Sequence, residues 1–536
     1  MKRICICCTA VSAAVALVGG CRAAEVSVTH SGARLAASAL HVMWGDGELD
    51  LGKTTAEKRV HRMAYAGDVM KFDRPWEGDG CGYFHVVEDA DAKGRVYRLY
   101  YMASSCTDFW VTKRNEYKPR PAVAESRDGL TWTRPNLGIC TYGGSRENNL
   151  LFADDCEFPD WDNFYVFRDP NPACPPEERY KGVAQKGDPY MLNRTGQKGA
   201  KREFMLYCYT SADGLHFNAG RKLIGGDEAE LKFDSLNTMC WDAARGVYRV
   251  YCRGLHKPGP GAVYCDWKVR DIRMIESRDC RTWTKPRPIE FVGDDTEEVP
   301  LYTNGVFPYF RDPSILTGLP TRYIQRGKWT PNYDNLPAPE NRRERMERGE
   351  PRYGLALTDC VFMFTRDGLR FERSGEAVMT PGPENVPMGW VYGSCYPSFQ
   401  PLLTANPLGG DPLMSFYAKE GQWMKTGTVL RRYTIRQDGF ISRHAGVKPA
   451  TVVTKPVLCE GGRMLVNFST SARGHLYVRV KGADGGEARS IELFGDRVDR
   501  EVAFASGDLG SLKGREVTVE FELLDCDLYS FRFTDL

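Results

Sequence analysis

Short stretches in which apolar or aromatic side chains alternate with polar ones recur along the chain. Residues 97–102 read Tyr-Arg-Leu-Tyr-Tyr-Met and residues 248–252 read Tyr-Arg-Val-Tyr-Cys. Such alternation between glycine- and aspartate-containing turns predicts β-strands. The charged stretch 340–350 is the best candidate for a short helix or loop. The pattern therefore predicts an all-β protein.

A heptapeptide with a terminal aromatic residue repeats along the chain, and its central pair is Asp-Gly in every copy but one, where Cys280 replaces the glycine. Glycine accepts positive φ and aspartate bonds the local backbone, so the pair favours a tight hairpin turn. The aromatic residue is predicted to enter a core between sheets. Four clear copies and a fifth, weaker one are Ser126–Trp132, Ser211–Phe217, Ser277–Trp283, Thr365–Phe371 and Arg436–Phe440. Repetition at this spacing predicts blades of a β-propeller.

The repeat divides the chain into predicted domains. One blade cannot bury both of its faces, so five repeated units over residues 67–440 are expected to close into a five-bladed ring. The repeat stops after residue 440, and alternating strands such as 476–480 and 517–521 follow. Their spacing predicts a compact β-sandwich over residues 441–536. Residues 22–66 are expected to wrap around the ring.

The first 21 residues resemble an export signal of the lipoprotein type. A basic start at Lys2 and Arg3 precedes an apolar run over residues 10–18, which is too short to span a bilayer. The sequence Val-Gly-Gly-Cys then ends at Cys21, the predicted lipidation site. Ordinary secretory cleavage near Ala24 is the alternative. The protein is therefore expected to be exported, as a cell-surface or periplasmic lipoprotein with a lipid anchor in the membrane, or as a secreted protein.

Composition excludes several classes of function. The 72 basic and 70 acidic residues nearly cancel, so nucleic acid is not expected as a partner. The eight histidines form no His-Glu-x-x-His motif, and no Cys/His spacing suggests zinc. No metal and no cofactor are predicted. Export permits disulfides among the 18 cysteines, but their irregular spacing assigns no pairs.

The hairpins, together with an Arg-Asp-Pro motif, resemble the five-bladed propeller glycosidases of families 32, 43 and 68. The chain is most similar to an uncharacterised bacterial subgroup of such glycosidase-like proteins. The stretches that carry this resemblance are 167–170, 74–78, 178–181, 233–237, 301–304, 318–323 and 527–533. The resemblance covers about residues 40–536. It implies the propeller fold and activity on carbohydrate.

The resemblance implies that catalytic acids lie where the innermost strand of each blade begins. Two carboxyl groups across the scissile bond are needed for glycoside hydrolysis. Asp169 is the first candidate, with Arg168 holding it ionised; the alternative is an aspartate in a turn before proline. Asp234 is a candidate acid or base, and so is Glu77 beside Trp76, whose ring would stack on sugar. Their alternative is a structural role in loops.

The family pattern has a glutamate on the third blade where this chain has Asp234. Glu420 of the fifth blade is therefore an alternative general acid. Further polar contacts to sugar are expected from Asn237, Tyr302, Asn304 and Arg322. Salt bridges between blades are an equal alternative for the arginine.

Two functions from different classes follow. The first is a glycoside hydrolase that cleaves extracellular polysaccharide or oligosaccharide by carboxylate acid/base catalysis in the propeller funnel. The second is a surface propeller that binds carbohydrate without cleaving it. Hydrolysis requires two carboxyl groups in one pocket, about 5–9.5 Å apart, whereas binding does not.

Overall fold

The computed structural model describes most of the chain. The described ranges are 40–105, 119–152, 162–186, 205–218, 220–225, 233–265, 268–348, 351–384, 389–422, 428–459 and 461–535. The predicted export signal and Cys21 lie outside the described residues.

Three strands precede the first blade, and small sheets follow, antiparallel except for the pair of Glu290–Val292 with Arg370–Arg373. The early strands are β1 (His41–Val42), β2 (Glu57–Val60) and β3 (Ala64–Phe72). Blade 1 contains β4 (Gly82–Asp91), β5 (Gly94–Ala103) and β6 (Arg120–Ser126). Blade 2 contains β7 (Asp162–Arg168), β8 (Tyr180–Lys186), β9 (Met205–Ser211) and β10 (Arg221–Gly225), with a 3-10 turn at Pro176–Glu178. Blade 3 contains β11 (Thr238–Asp242), β12 (Val247–His256), β13 (Val269–Ser277) and β14 (Arg287–Pro288).

Blade 4 carries a helical insertion at the tip of an extended hairpin. Its sheet has the order β15-β21-β20-β17-β16. The strands are β15 (Glu290–Val292), β16 (Phe307–Tyr309), β17 (Asp312–Gly318), β18 (Thr321–Gln325), β19 (Ala356–Cys360), β20 (Met363–Thr365) and β21 (Arg370–Arg373). Strands β18 and β19 form the extension, and between them lie α1 (Asn332–Asn335), α2 (Pro339–Arg348) and α3 (Arg352–Leu355). Helix α2 confirms the helix expected near 340–350.

Blade 5 closes the ring with a strand from the other end of the chain. It contains β22 (Leu402–Thr404), β23 (Leu413–Glu420) and β24 (Thr428–Ile435). Its fourth and outermost strand is β3, which pairs antiparallel with β24. The strand order therefore confirms the all-β, five-bladed propeller.

The remaining strands form one ten-stranded sheet that also includes β1 and β2. Its long strands pair with each other except for a break between the pairs Thr470↔Cys526 and His475↔Leu524. Apolar side chains from both sides of this break, such as Phe468 and Val478, belong to one buried core. This arrangement fits the predicted sandwich. The strands are β25 (Ile441–Ala445), β26 (Ala450–Val453), β27 (Val457–Cys459), β28 (Arg463–Gly482), β29 (Glu487–Ser490), β30 (Asp496–Glu501), β31 (Phe504–Ser506) and β32 (Arg515–Thr534), with a 3-10 turn at Leu509–Leu512.

The four clear copies of the heptapeptide form the same hydrogen-bonded turn after the third strand of a blade. In the first copy, Asp128 Oδ1 accepts from the amides of Leu130 and Thr131, and Ser126 Oγ accepts from the amide of Gly129. The aspartates of the other copies accept the same pair of amides. The aromatic residue enters an inter-sheet core in the first and fourth copies, where Trp132 and Phe371 are buried.

Each turn also offers a carbonyl that the neighbouring blade can bind. Tyr100 of blade 1 donates its hydroxyl to the Gly214 carbonyl of blade 2 at 3.0 Å. Tyr251 of blade 3 bonds Gly368 of blade 4 at 2.8 Å, and Tyr417 of blade 5 bonds Gly129 of blade 1 at 2.6 Å. We call Tyr100, Tyr251 and Tyr417 the latch tyrosines. The repeat thus joins blades as well as turning the chain.

Candidate functional site

The innermost strands β4, β7, β11, β16 and β22 run in one direction around the ring axis. Val166 N of β7 donates to His85 Nε2 of β4 at 2.8 Å, which aligns corresponding positions of the two strands. Thr238 Oγ1, at the start of β11, donates to Asn304 Oδ1 just before β16 at 2.8 Å. The starts of the inner strands therefore lie at one end of the ring. We call this end, with the segments 73–81, 233–237, 301–306 and 389–401, the mouth.

Two inner strands begin with a backbone irregularity at the mouth. Tyr83 and Asn163, the second residues of β4 and β7, have φ of 57° and 65°. The strand register shifts at both places. A left-handed conformation is costly for tyrosine, and such strain clusters at functional sites. The Asn163 side chain is fully buried, and neither its oxygen nor its nitrogen has a hydrogen-bond partner.

Four buried tyrosines form the largest aromatic feature of the mouth. The Tyr302 ring stacks on Tyr323 at 5.7 Å and on Tyr396 at 5.5 Å, and its edge meets Tyr392 at 5.9 Å. We call Tyr302, Tyr323, Tyr392 and Tyr396 the tyrosine cluster. Tyr83 and Tyr353, the latter from α3, pack against its edge. Blade 4, its helical insertion and the segment before β22 therefore supply one aromatic wall.

Two arginines of blade 3 lie against this wall. The guanidinium of Arg253 lies 5.7 Å from the Tyr302 ring centre, and that of Arg270 lies 4.3 Å from the Tyr323 ring centre. Arg253 forms an ion pair with Asp234, whose side chain keeps 35% of its surface exposed. Burial, with a further effect of the Arg270 charge, lowers the pKa of Arg253. The Asp234 carboxyl group is thus paired at the mouth with a guanidinium that water hardly reaches.

Glu420 is the second carboxyl group at this end of the ring. It ends β23, which runs antiparallel to β22, so it lies level with the start of the inner strand. Tyr433 donates its hydroxyl to Glu420 Oε1 at 3.0 Å, while Oε2 is buried without a hydrogen-bond partner. Burial raises the pKa of Glu420 to about 7. Burial and, after it, the charge of Glu420 raise the pKa of Cys395. In the sequence, Cys395 lies between Tyr392 and Tyr396 of the tyrosine cluster.

The predicted position of Asp169 is wrong. Asp169 follows the last residue of β7, Arg168, so both lie at the opposite end of the inner strand from the mouth. Asp169 is 1% exposed, and its Oδ2 accepts from Lys181 Nζ and from the Tyr248 hydroxyl, each at 2.7 Å. Burial opposes the charge of Lys181, but the hydrogen bond and charge of Asp169 raise the pKa of Lys181 overall. The Arg-Asp-Pro motif therefore builds a buried ion pair within blade 2, which Tyr248 of blade 3 joins by a hydrogen bond.

Glu77 lies in the segment that precedes β4, as expected, but it is enclosed. Arg134 donates to both carboxylate oxygens, at 2.7 and 2.8 Å, and the Tyr101 hydroxyl donates at 2.5 Å. The Glu77 side chain has no exposed surface. Trp76 donates its indole N–H to Asn149 at 2.9 Å and packs edge-on against Tyr142. Glu77 and Trp76 thus support the loop structure of blade 1.

The remaining predicted contacts divide between the mouth and the framework. Tyr302 lies in the tyrosine cluster. Asn237 donates to the carbonyls of Phe233 and Ser235, and Asn304 donates to those of Leu236 and Tyr251, so both amides hold backbone. Arg322 is not at the mouth surface: it forms a double hydrogen bond with Asp359 on the paired strand, at 2.7 Å for each.

The sequence analysis missed Arg253, Arg270 and the rest of the tyrosine cluster. The signal available was the recurrence of tyrosines at 302, 323, 392 and 396. Among the described residues, no group of three or more histidine, cysteine, aspartate or glutamate side chains is placed to hold a metal ion. Among the described helices, none is long and apolar enough to cross a membrane.

Comparison with known proteins finds similarity at the level of fold. No family model and no curated protein matches the chain. An N-acetylgalactosamine deacetylase from F. plautii is 12% identical over 74% of this chain and 94% of its own, with a TM-score of 0.38. A family 43 arabinoxylan arabinofuranohydrolase from Bacillus subtilis is 11% identical over 91% and 99%, with a TM-score of 0.35. A fructofuranosidase from Schwanniomyces occidentalis is 9% identical over 91% and 100%, with a TM-score of 0.35.

Proposed function

We propose that the protein is a glycoside hydrolase that binds sugar at the mouth, with Glu420 as proton donor and Asp234 as the ionised carboxylate. The observation that carries this proposal is that two carboxyl groups at one end of the ring, those of Glu420 and Asp234, lie in different environments. Burial raises the pKa of Glu420 to about 7, whereas Asp234 is more exposed and has the Arg253 guanidinium as its partner. Glycoside hydrolysis needs one protonated and one ionised carboxyl group.

The tyrosine cluster supports sugar binding at the same place. Aromatic faces stack on the apolar faces of sugar rings, and ligand sites are lined predominantly by hydrophobic and aromatic side chains. Asp169 and Glu77 are left out of this catalytic assignment because Lys181 and Arg134 engage their carboxylates inside the fold. The export signal and lipidation of Cys21 would place this activity outside the cytoplasm.

A second function is supported by the burial of the proposed acid. Glu420 is only 1% exposed, and Asp234 already has Arg253 as its partner. A propeller that captures glycan without cleaving it needs the tyrosine cluster but no free carboxyl pair. Binding without cleavage is therefore the alternative that an experiment must separate.

The test is reducing-sugar release from a broad glycan panel. We expect release by the wild type, and loss of about a hundredfold or more in kcat for Glu420→Gln and Asp234→Asn. Glu290→Gln, an exposed glutamate on the outer edge of blade 4, is the matched control and should keep full activity. Because Glu420 acts in its protonated form, kcat should fall as pH rises through about 7.

The outcome also distinguishes the two functions. Binding of a glycan by calorimetry with no release, unchanged by Glu420→Gln, would establish capture and refute hydrolysis. Release that both variants retain would place the chemistry elsewhere in the chain.

A further inference from the structure

Two guanidinium groups and the carboxyl group of Asp234 lie beside the tyrosine cluster. Arg253 has Asp234 as its ion-pair partner. Arg270 has none: within the described part of the chain its side chain forms neither an ion pair nor a hydrogen bond, and its Nε is buried. Its contacts are the rings of Tyr323 at 4.3 Å and Tyr302 at 5.6 Å.

A guanidinium without an anionic partner is unusual at such a place. Removing an arginine from water costs free energy unless carboxylates or hydrogen bonds compensate its charge. The ring faces stabilise Arg270 by cation–π attraction, which supplies only about 0.5–2 kcal/mol. Arg270 also lies close enough to Arg253 to lower its pKa, after the larger effect of burial. Of these two neighbouring guanidinium groups, only that of Arg253 has a carboxylate partner.

Further polar atoms at the cluster also lack partners. The hydroxyl oxygens of Tyr323 and Tyr396 are buried and form no hydrogen bond of ordinary geometry, with Arg352 and Tyr392 as their nearest polar neighbours; these residues are 1% and 8% exposed. Buried polar groups are nearly always hydrogen-bonded in folded proteins. The cluster therefore presents unsatisfied donors beside an uncompensated positive charge, which is the arrangement that an acidic ligand would complete.

We infer that the mouth takes an anionic sugar and that Arg270 binds its charged group, a hexuronate carboxylate or a sulfate ester. This inference rests on the proposed function, since it names the substrate class of the same site. The planar fork of a guanidinium donates two parallel hydrogen bonds to either oxyanion. The tyrosine faces would hold the sugar ring. The same rings keep the Arg270 guanidinium in position to bind the charged group of that sugar.

The experiment is affinity electrophoresis in gels that contain one polymer each. Polygalacturonate supplies carboxylate alone, dextran sulfate supplies sulfate alone, and arabinan and galactan are neutral. We expect wild-type protein to be retarded by one anionic polymer at least about tenfold more strongly than by either neutral one. In Arg270→Gln the ratio of retardation by the anionic polymer to retardation by the neutral ones should be about tenfold lower than in the wild type. The melting temperature of this variant should stay close to that of the wild type.

Two more variants make the test specific. Arg270→Lys keeps the charge but loses the planar fork, so it should fall between wild type and Arg270→Gln. Arg287→Gln removes an exposed arginine from β14 of the same blade and should bind like the wild type. If Arg287→Gln weakens retardation as much as Arg270→Gln does, the effect comes from overall charge, and the inference is refuted.

The results separate this inference from the proposed hydrolysis. Retardation by an anionic polymer that depends on Arg270, without any sugar release, would support anion binding and refute hydrolysis. Cleavage of neutral glycans with no preference for either anionic polymer would support hydrolysis and overturn the anionic specificity. Equal retardation of the wild type by all polymers would also overturn it.

Discussion

Removing the hydroxyl group of one latch tyrosine tests whether the repeated turns hold the blades together. In Tyr251→Phe the ring remains, so its edge-on packing against Phe371 at 5.9 Å is preserved. Only the hydrogen bond to the Gly368 carbonyl at 2.8 Å is lost. Both residues are buried, so water cannot replace the donor.

The expected cost follows from that burial. A buried carbonyl left without a donor costs about 1–3 kcal/mol. Arg249 still donates to the carbonyl of Asp367 in the same turn at 3.1 Å, so the turn should stay in place and the value should lie near 2 kcal/mol. The three latch tyrosines join different pairs of blades. Distant substitutions add, so the triple Phe variant should lose about 6 kcal/mol.

The assay is urea unfolding followed by tryptophan fluorescence, with the free energy of unfolding taken from the midpoint at constant m-value. Tyr65→Phe is the control, because that tyrosine is 58% exposed and its hydroxyl bonds Asp68 at the surface. Its loss should stay within about 0.5 kcal/mol. If Tyr251→Phe is no more destabilised than this control, or if the triple variant loses no more than one single variant, the latches do not join the blades.

Three further results are expected. Because burial raises the pKa of Glu420 from 4.5 to about 7, the folded state holds its proton more tightly than the unfolded chain. The stability that this group contributes is therefore present below about pH 4.5 and is lost as pH rises through about 7. Over that range the free energy of unfolding of Glu420→Gln, measured from urea midpoints, should rise relative to wild type by up to about 3 kcal/mol. Asp169→Asn leaves Lys181 buried without its partner and should cost about 3–5 kcal/mol in the same assay, and Asp169→Asn/Lys181→Met should recover much of it; an unchanged midpoint would contradict the buried pair. Gly214→Ala places Cβ 2.7 Å from a latch tyrosine hydroxyl, whereas Gly246→Ala, also at positive φ, meets no atom within 4 Å. Gly246→Ala should cost about 1 kcal/mol and Gly214→Ala clearly more; equal melting temperatures would refute the steric argument.

The fold could be predicted because its signal is local and repeated. Each turn is built by a serine or threonine, an aspartate and the amides that follow within a few residues, so four copies are visible without any tertiary information. The polarity of a blade is not local. The sequence does not show which strand faces the axis, so Asp169 was placed at the wrong end of β7.

The candidate site was harder to predict because its meaning depends on partners that are distant in sequence. Glu77 meets Arg134, 57 residues away, and this contact changes an apparent catalytic acid into a structural ion pair. Asp234 was found because it precedes an inner strand. Arg270 was missed because the sequence does not show that the neighbours of this arginine are tyrosine rings rather than carboxylates.

The position of β3 in blade 5 has a kinetic consequence. Strands β3 and β24 pair residues such as Lys71 and Val429, which are separated by most of the propeller sequence. Closing so long a loop costs chain entropy before the strand pairing contributes any favourable free energy. Ring closure should therefore be the slow step of folding. Until β24 has been synthesised, β3 has no neighbour and β23 has an open edge, which is a site for pairing with other chains. A circular permutant that begins at residue 73 and links residue 535 to residue 40, next to the pair His41↔Phe531, would shorten the sequence between β24 and β3 and should fold faster without any new contact.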